Sequence, residues 1–302
     1  MTTALSKSAA AALALFALPV SVWAGTASAE QTDLSRLKDY NCQKTPVHEG
    51  QTIDLSRARL TFSDDFNTPN IVRDGGNGKW YTSVHGGFGG AKFLDYDKRD
   101  DTFRVKKGLL TIRMQNRGGK WVSGLIQSVD SKGNGFAQTY GYFEMRARLP
   151  KGASNWPAFW LKTVNQFTDK TETRTEIDVF EGYGGNDPNG YHFSIHLWPA
   201  AKQPDLPNLV TKHWGKSCYR KIPDGLFDDQ FHQFGVRTTS DWVIVYYDRQ
   251  EIMRFESLPE FHKPMFILAN LAYSAAEKRD DMAPSDMAID YIKVWDLPGD
   301  GE

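Results

Sequence analysis

The chain has 302 residues and a near-balanced charge, with 36 Lys and Arg against 37 Asp and Glu, a formal net charge of −1. That balance gives no electrostatic ground for binding nucleic acid or an anionic membrane surface. Hydrophobic residues make up 40% and aromatics 13%, with 9 Trp, which leaves open both an aromatic-rich core and indole faces that stack on sugar rings.

Taken in chain order, residues 1–29 read as a secretory signal peptide. Lys7 gives the positive n-region, Ala9 to Val20 the apolar run, and Ala27-Ser28-Ala29 a small-x-small cleavage site before Glu30. The run is too short to span a bilayer, and no later one is long enough. The expectation is therefore a secreted or periplasmic protein with no membrane span, taken to be a monomer. Export permits disulfides. The chain's two cysteines, Cys42 and Cys218, are expected to pair with each other. Residues 30–44 form an N-terminal extension with a short helix expected around Leu34–Tyr40, and residues 45–298 a single domain.

From about Leu60 short alternating runs replace the polar pattern. Gly108–Met114, Tyr140–Leu149, Asp241–Tyr247, Met265–Ala272 and Met287–Trp295 all read as strands, separated by Gly, Asp and Asn turns. Many short strands without a helical period indicate an all-β sandwich or barrel. The segments Asp74–Gly78 and Gly86–Gly90 read as surface loops, and Pro199–Gln230 as a long loop or an excursion with a short helix.

The chemistry concentrates in Thr175-Glu176-Ile177-Asp178-Val179-Phe180-Glu181-Gly182. Its apolar, β-branched centre predicts a strand. Glu176 and Asp178 then share a face, whereas Glu181, five positions from Glu176, falls on the other unless one β-bulge near Val179-Phe180 restores parity. Just downstream, Tyr191, Phe193, Ile195 and Leu197 alternate with His192, Ser194, His196 and Trp198. Pairing of the two strands would gather acids, imidazoles and an indole in one groove suited to a polyhydroxylated ring. Retaining cleavage of a glycosidic bond needs a nucleophile and an acid/base about 5–5.5 Å apart. Clustered carboxyls cannot all stay ionised cheaply, so one keeps the proton that a leaving oxygen requires. A metal reading is weaker: His192 and His196, four apart on a strand, lie about 13 Å from each other. No cofactor is expected for catalysis.

Glu176-Ile-Asp-Val-Phe-Glu-Gly resembles the active-site signature of family 16 glycoside hydrolases, in its bulged E-x-D-x-x-E form. The resemblance extends in order through Leu60–Phe66, Tyr140–Arg148, Trp156–Trp160, Phe231–Val236, Asn270–Ala272 and Ile289–Trp295. It implies a β-jelly-roll sandwich of the concanavalin A-like lectin and glucanase type, with a concave cleft for a polysaccharide. It further implies that Glu176 is the nucleophile, Glu181 the acid/base and Asp178 an assisting acid. Trp156 matches the Trp beside the scissile bond and His196 a His on the neighbouring strand. Trp160, Trp198 and Asn270 join them as candidate substrate-binding residues. A structural Ca²⁺ on the convex side would use Asp290, for which an ion pair with a neighbour is the competing expectation. The chain departs from the family's β-1,3-glucan-cleaving members after Asn270-Leu271-Ala272, where Tyr273–Asp281 replaces a Trp-bearing loop. A transglycosylase and a catalytically silent carbohydrate-binding jelly roll are the alternatives to a retaining endo-β-glycanase.

Overall fold

Alternation of buried and exposed positions builds two stacked sheets in the computed structural model, which describes residues 36–83, 87–152, 154–169, 171–185, 187–199, 212–274 and 283–301. The expected signal peptide lies outside these residues, as does most of the departure at Tyr273–Asp281. Where a helix was expected at Leu34–Tyr40, a single 3₁₀ turn spans Arg36–Lys38. Next come β1 (Gln43–Lys44), β2 (Arg59–Asp64), β3 (Ile71–Val72), β4 (Trp80–Tyr81), β5 (Lys92–Phe93), β6 (Phe103–Lys106) and β7 (Leu109–Arg117). They are followed by β8 (Lys120–Ser123), β9 (Leu125–Gln127), β10 (Gly141–Arg148), β11 (Asn155–Thr163), β12 (Arg174–Tyr183) and β13 (Asp187–Trp198). The remainder are β14 (Trp214–Lys221), β15 (His232–Thr238), β16 (Trp242–Tyr247), β17 (Gln250–Glu256), β18 (Met265–Tyr273) and β19 (Ser285–Asp296).

One sheet runs β1-β17-β16-β15-β10-β19-β7-β8-β5, with β2 on β19 and β6 on β7; the other runs β14-β13-β12-β11-β18-β9-β4-β3. The architecture is a β-jelly-roll sandwich. Its main core lies between the sheets. From the second sheet it takes Phe159 and Leu161 of β11, Ile177 of β12, and Tyr191, Phe193, Ile195 and Leu197 of β13.

Strand β18 shows why this sheet can carry a groove. Its sequence MFILANLAY is buried at every position. Met265, Ile267, Ala269 and Leu271 enter the main core, while Phe266, Leu268 and Ala272 join a second apolar cluster with Ala158 and Trp160. The sheet is thus apolar on both faces near its middle. Burying each large side chain contributes about 1.5–3 kcal/mol.

The expectation of a loop across Pro199–Gln230 is corrected in part. Residues Trp214–Lys221 form β14, antiparallel to β13 with Phe193 opposite Cys218. This strand lies at the sheet's edge, and of its residues only Cys218 is buried. Its burial alternates, with Trp214, Lys216, Cys218 and Arg220 on the drier face, but two of those four are cations, so its sequence carries little period-2 hydrophobic signal.

Candidate active site

Strand β12 presents the acids. Along it the register against β13 slips: Asp178 faces Ser194 and Glu181 faces His192, three residues advancing against two. Val179 and Phe180 both turn into the inter-sheet core and are fully buried. That bulge returns Glu181 to the face held by Glu176 and Asp178. All three acids line one groove of about 680 Å³.

The neighbouring strands set the walls in register. On β11, Lys162 lies opposite Glu176, Trp160 opposite Asp178, and Ala158 opposite Glu181; on β13, His196 lies opposite Glu176. Glu176 receives the indole N–H of Trp198 at 3.1 Å and has the Lys162 ammonium 3.2 Å away. Glu181 receives the Trp156 indole N–H at 2.9 Å and the Tyr183 hydroxyl at 3.2 Å. His196 Nε2 lies 3.1 Å from Asp178 Oδ2.

These surroundings separate the carboxyls electrostatically. Burial pushes the Glu181 carboxyl up to about 8, and the nearby Asp178 charge adds to the effect. Asp178 is raised well above the ordinary carboxylate range, first by burial and then by the charge of Glu176. Burial therefore favours the protonated form of Glu181, while Glu176 in the same groove has a cation and an indole N–H against it. That is the charge arrangement that general-acid and nucleophilic chemistry require in one site.

Behind His196 stands His213, with its Nε2 2.9 Å from His196 Nδ1. Its ring stacks on Trp198 at 4.2 Å between centroids and 28° between planes. Burial, followed by the charge of His196, lowers its proton affinity. The close approach depends on Gly215, where a Cβ would come within 2.6 Å of His196 Nδ1.

Most residues singled out from the sequence meet here: Trp156, Trp160, Glu176, Asp178, Glu181, His196 and Trp198 all line the groove. Asn270 does not. It is fully buried and accepts the Trp160 indole N–H at 2.8 Å, which revises its expected substrate contact to support for an indole wall. Asp290 lies on β19 in the sheet away from the groove, and its carboxylate is ion-paired with Arg146 of the adjacent β10, which is the competing expectation for that residue. Cys42 and Cys218 are bonded, with Cα atoms 6.2 Å apart. His192 pairs with Asp187 at 2.9 Å, away from His196. Donor atoms of Glu176, Asp178 and His196 lie within 4.8 Å of one another, but Lys162 already supplies a positive charge at that cluster.

Among the residues of the site that carried no weight in the sequence are Lys162, Arg174, Tyr183 and His213. Parity could have found three of them. Lys162 continues the face of Trp156, Ala158 and Trp160, Arg174 that of Glu176, and Tyr183 that of Glu181. His213 sits at the start of an edge strand and reaches the site through stacking across strands, for which no sequence period exists.

Comparison with known proteins follows the same line. The family model described as glycosyl hydrolases family 16 matches residues 92–293. An endo-1,3-1,4-beta-glycanase, ExsH, of Rhizobium meliloti (strain 1021) is 31% identical over 275 residues, covering 82% of this chain and 54% of its own length. EglC of the same strain, also named an endo-1,3-1,4-beta-glycanase, is 29% identical over 86% of this chain and 57% of its own length. The chain thus spans little more than half the length of these relatives. A laminarinase structure from Flavobacterium sp. UMI-01 superposes with a TM-score of 0.61 at 22% identity, covering 79% of this chain and 100% of that one, a likeness of fold.

Proposed function

This chain belongs to glycosyl hydrolase family 16, and from that premise we propose that it is an exported, retaining endo-β-glycanase acting by double displacement. The observation that carries the reading is the bulge in β12, which sets Glu176, Asp178 and Glu181 on one face under two contrasting environments. Glu181 donates its proton to the glycosidic oxygen as the bond to the anomeric carbon breaks. A carboxylate oxygen of Glu176 bonds to that carbon, giving a glycosyl-enzyme. Glu181, now ionised, takes a proton from water, whose oxygen displaces Glu176 and restores both groups. Asp178 tunes the charge beside Glu176 and makes no bond to the sugar. His196 orients Asp178, and Trp156, Trp160 and Trp198 offer indole faces and edges to the sugar rings. No metal enters these steps.

The names of the Rhizobium relatives support a β-1,3/1,4-linked polymer as substrate. The altered segment after Ala272 supports weaker turnover of laminarin than of mixed-linkage or bacterial exopolysaccharides. Export is supported by the signal-like residues 1–29 and by the disulfide.

Turnover of an activated aryl β-glycoside by single variants, with and without azide, tests the roles. Glu176→Ala abolishes the glycosyl-enzyme. Glu181→Ala still forms it, because a good leaving group needs little protonation, and azide then speeds its breakdown to a glycosyl azide of retained configuration. Asp178→Asn lowers the rate by less than either. Azide rescue of Glu176→Ala with retained product, together with inverted product from Glu181→Ala, would exchange the two Glu roles. Inverted product from the unaltered protein would rule out retention.

A further inference from the structure

We propose that a small pocket beside the catalytic groove, lined by Lys162, Arg174 and Trp198, binds an anionic substituent on the sugar chain, a carboxylate or a sulfate ester. The pocket has a volume of about 170 Å³. Lys162 and Trp198 also line the groove, so the two spaces share walls. This inference deepens the endo-glycanase reading and rests on it.

Register places the pocket one step from the reacting centre. Arg174 lies opposite Trp198, and Glu176, next on the same face of β12, lies opposite both His196 and Lys162. Two residues along a strand span about 6.6–6.8 Å, roughly the length of one sugar ring. A group projecting from a ring seated over Glu176 therefore reaches Arg174.

The charges around the pocket are unbalanced. Lys162 is paired with Glu176 at 3.2 Å. Arg174 donates to the Pro199 carbonyl at 3.0 Å and has no carboxylate partner among the described residues. Two cations thus face one carboxylate. In the glycosyl-enzyme Glu176 is an ester and carries no charge, which leaves Asp178 as the acid that Lys162 acts on and Arg174 still without a carboxylate partner among the described residues. A neutral polymer offers these donors only hydroxyl oxygens and no countercharge. An anionic substituent supplies that charge, and the guanidinium fork suits two oxygens of a carboxylate or sulfate. The chain's formal net charge is −1, so attraction to a polyanion has to come from such a local feature rather than from the protein's overall charge.

The test uses three polymers on one backbone: a mixed-linkage β-glucan, its lightly carboxymethylated derivative and its lightly sulfated derivative. New reducing ends give kcat/KM, and electrophoresis through gels containing each polymer gives binding without cleavage. The unaltered protein should prefer one charged derivative by about tenfold, the scale of one partly screened charge-assisted hydrogen bond, and added salt should shrink that preference. Whether the carboxymethylated or the sulfated polymer is preferred identifies the anion. Arg174→Gln keeps a donor for the Pro199 carbonyl but removes the charge, and should bring the ratio close to one. Arg174→Lys should keep part of it. Equal kcat/KM on all three polymers, or an unchanged ratio in Arg174→Gln, overturns the subsite. If no polymer is cleaved, the endo-glycanase reading fails on this backbone. Gel retardation then decides the subsite: stronger retardation by a charged polymer that is lost in Arg174→Gln upholds it, and equal retardation overturns it.

Discussion

Glu181 shows how one carboxyl can be assigned a role from its surroundings. Burial raises it to about 8, against 4.5 for an ordinary glutamate, and the Trp156 indole N–H and Tyr183 hydroxyl oppose the rise by favouring the ionised form. If Glu181 is the acid, kcat/KM falls as pH rises through about 8, because the free protein loses the proton the leaving group needs. Trp156→Phe removes a donor that stabilises the carboxylate, so its alkaline limb moves to higher pH. A limb that moves down, or not at all, would separate Glu181 from that titration. The same shift has a stability consequence. Between about 4.5 and 8 the folded protein holds a proton that the unfolded chain has released, so stability falls as pH rises across this window. Glu181→Gln removes the titration. Its melting temperature should exceed that of the unaltered protein at pH 8, by a margin on the order of 2–4 kcal/mol in stability, and the gap should close toward pH 5. Equal gaps at both pH values would show that the gain comes from something other than the buried charge.

At the level of elements, the bulge in β12 decides whether the acids meet. Val179 is the extra residue: across it β12 runs from Asp178 to Phe180 while β11 advances only from Trp160 to Phe159. Deleting Val179 would leave Phe180 pointing to the core and Glu181 to the groove, with the pairing on both sides unchanged. The variant should lose about 1.5–3 kcal/mol of core burial yet keep activity well above that of Glu181→Ala. Activity as low as that of Glu181→Ala would mean that the longer arc of the bulge, and not only its parity, sets the distance between the carboxyls. Much of this was legible in the sequence, because β12 and β13 each have one wet face and one dry face, and alternation records that directly. The consecutive apolar pair Val179-Phe180 marked the bulge. What the sequence hid follows from a different physics. Strand β14 sets Lys216 and Arg220 beside Trp214 and Cys218 on its drier face, which blurs the hydrophobic period. Asn270 lies in β18, buried throughout, where nothing in the pattern distinguishes a residue that meets substrate from one that props an indole. Asp290 could be read as a Ca²⁺ ligand or an ion-pair partner, and its pairing with Arg146 depends on the register of β10 against β19, which no pattern in either strand records.

On the scale of the whole molecule, the N-terminal extension works as a strap across both sheets. Strand β1 pairs with β17 in one sheet, and Cys42 is bonded to Cys218 in β14 at the edge of the other. Between them Tyr40 stacks on Phe255 at 5.5 Å and 19° and meets Trp214 edge-on at 5.5 Å. The strap therefore braces the strand whose Ser217 forms part of the groove wall. A bond across 176 residues closes a long loop in the unfolded chain, worth about 5 kcal/mol by chain entropy, with measured bonds more often giving about 2–4. The double variant Cys42→Ser, Cys218→Ser should therefore melt at a lower temperature, with a loss of about 2–4 kcal/mol in denaturant titration. Its kcat/KM at 25 °C should stay within about threefold of the unaltered value, less than one hydrogen bond's worth, since neither cysteine touches the three acids. Tyr40→Ala, with the bond intact, separates covalent from packing contributions. If the double variant melts like the unaltered protein while Tyr40→Ala melts lower, aromatic packing holds the strap and the disulfide adds nothing. If both variants melt lower but only the double variant also loses activity at 25 °C, the bond sets the position of β14 in the native groove as well as constraining the unfolded chain.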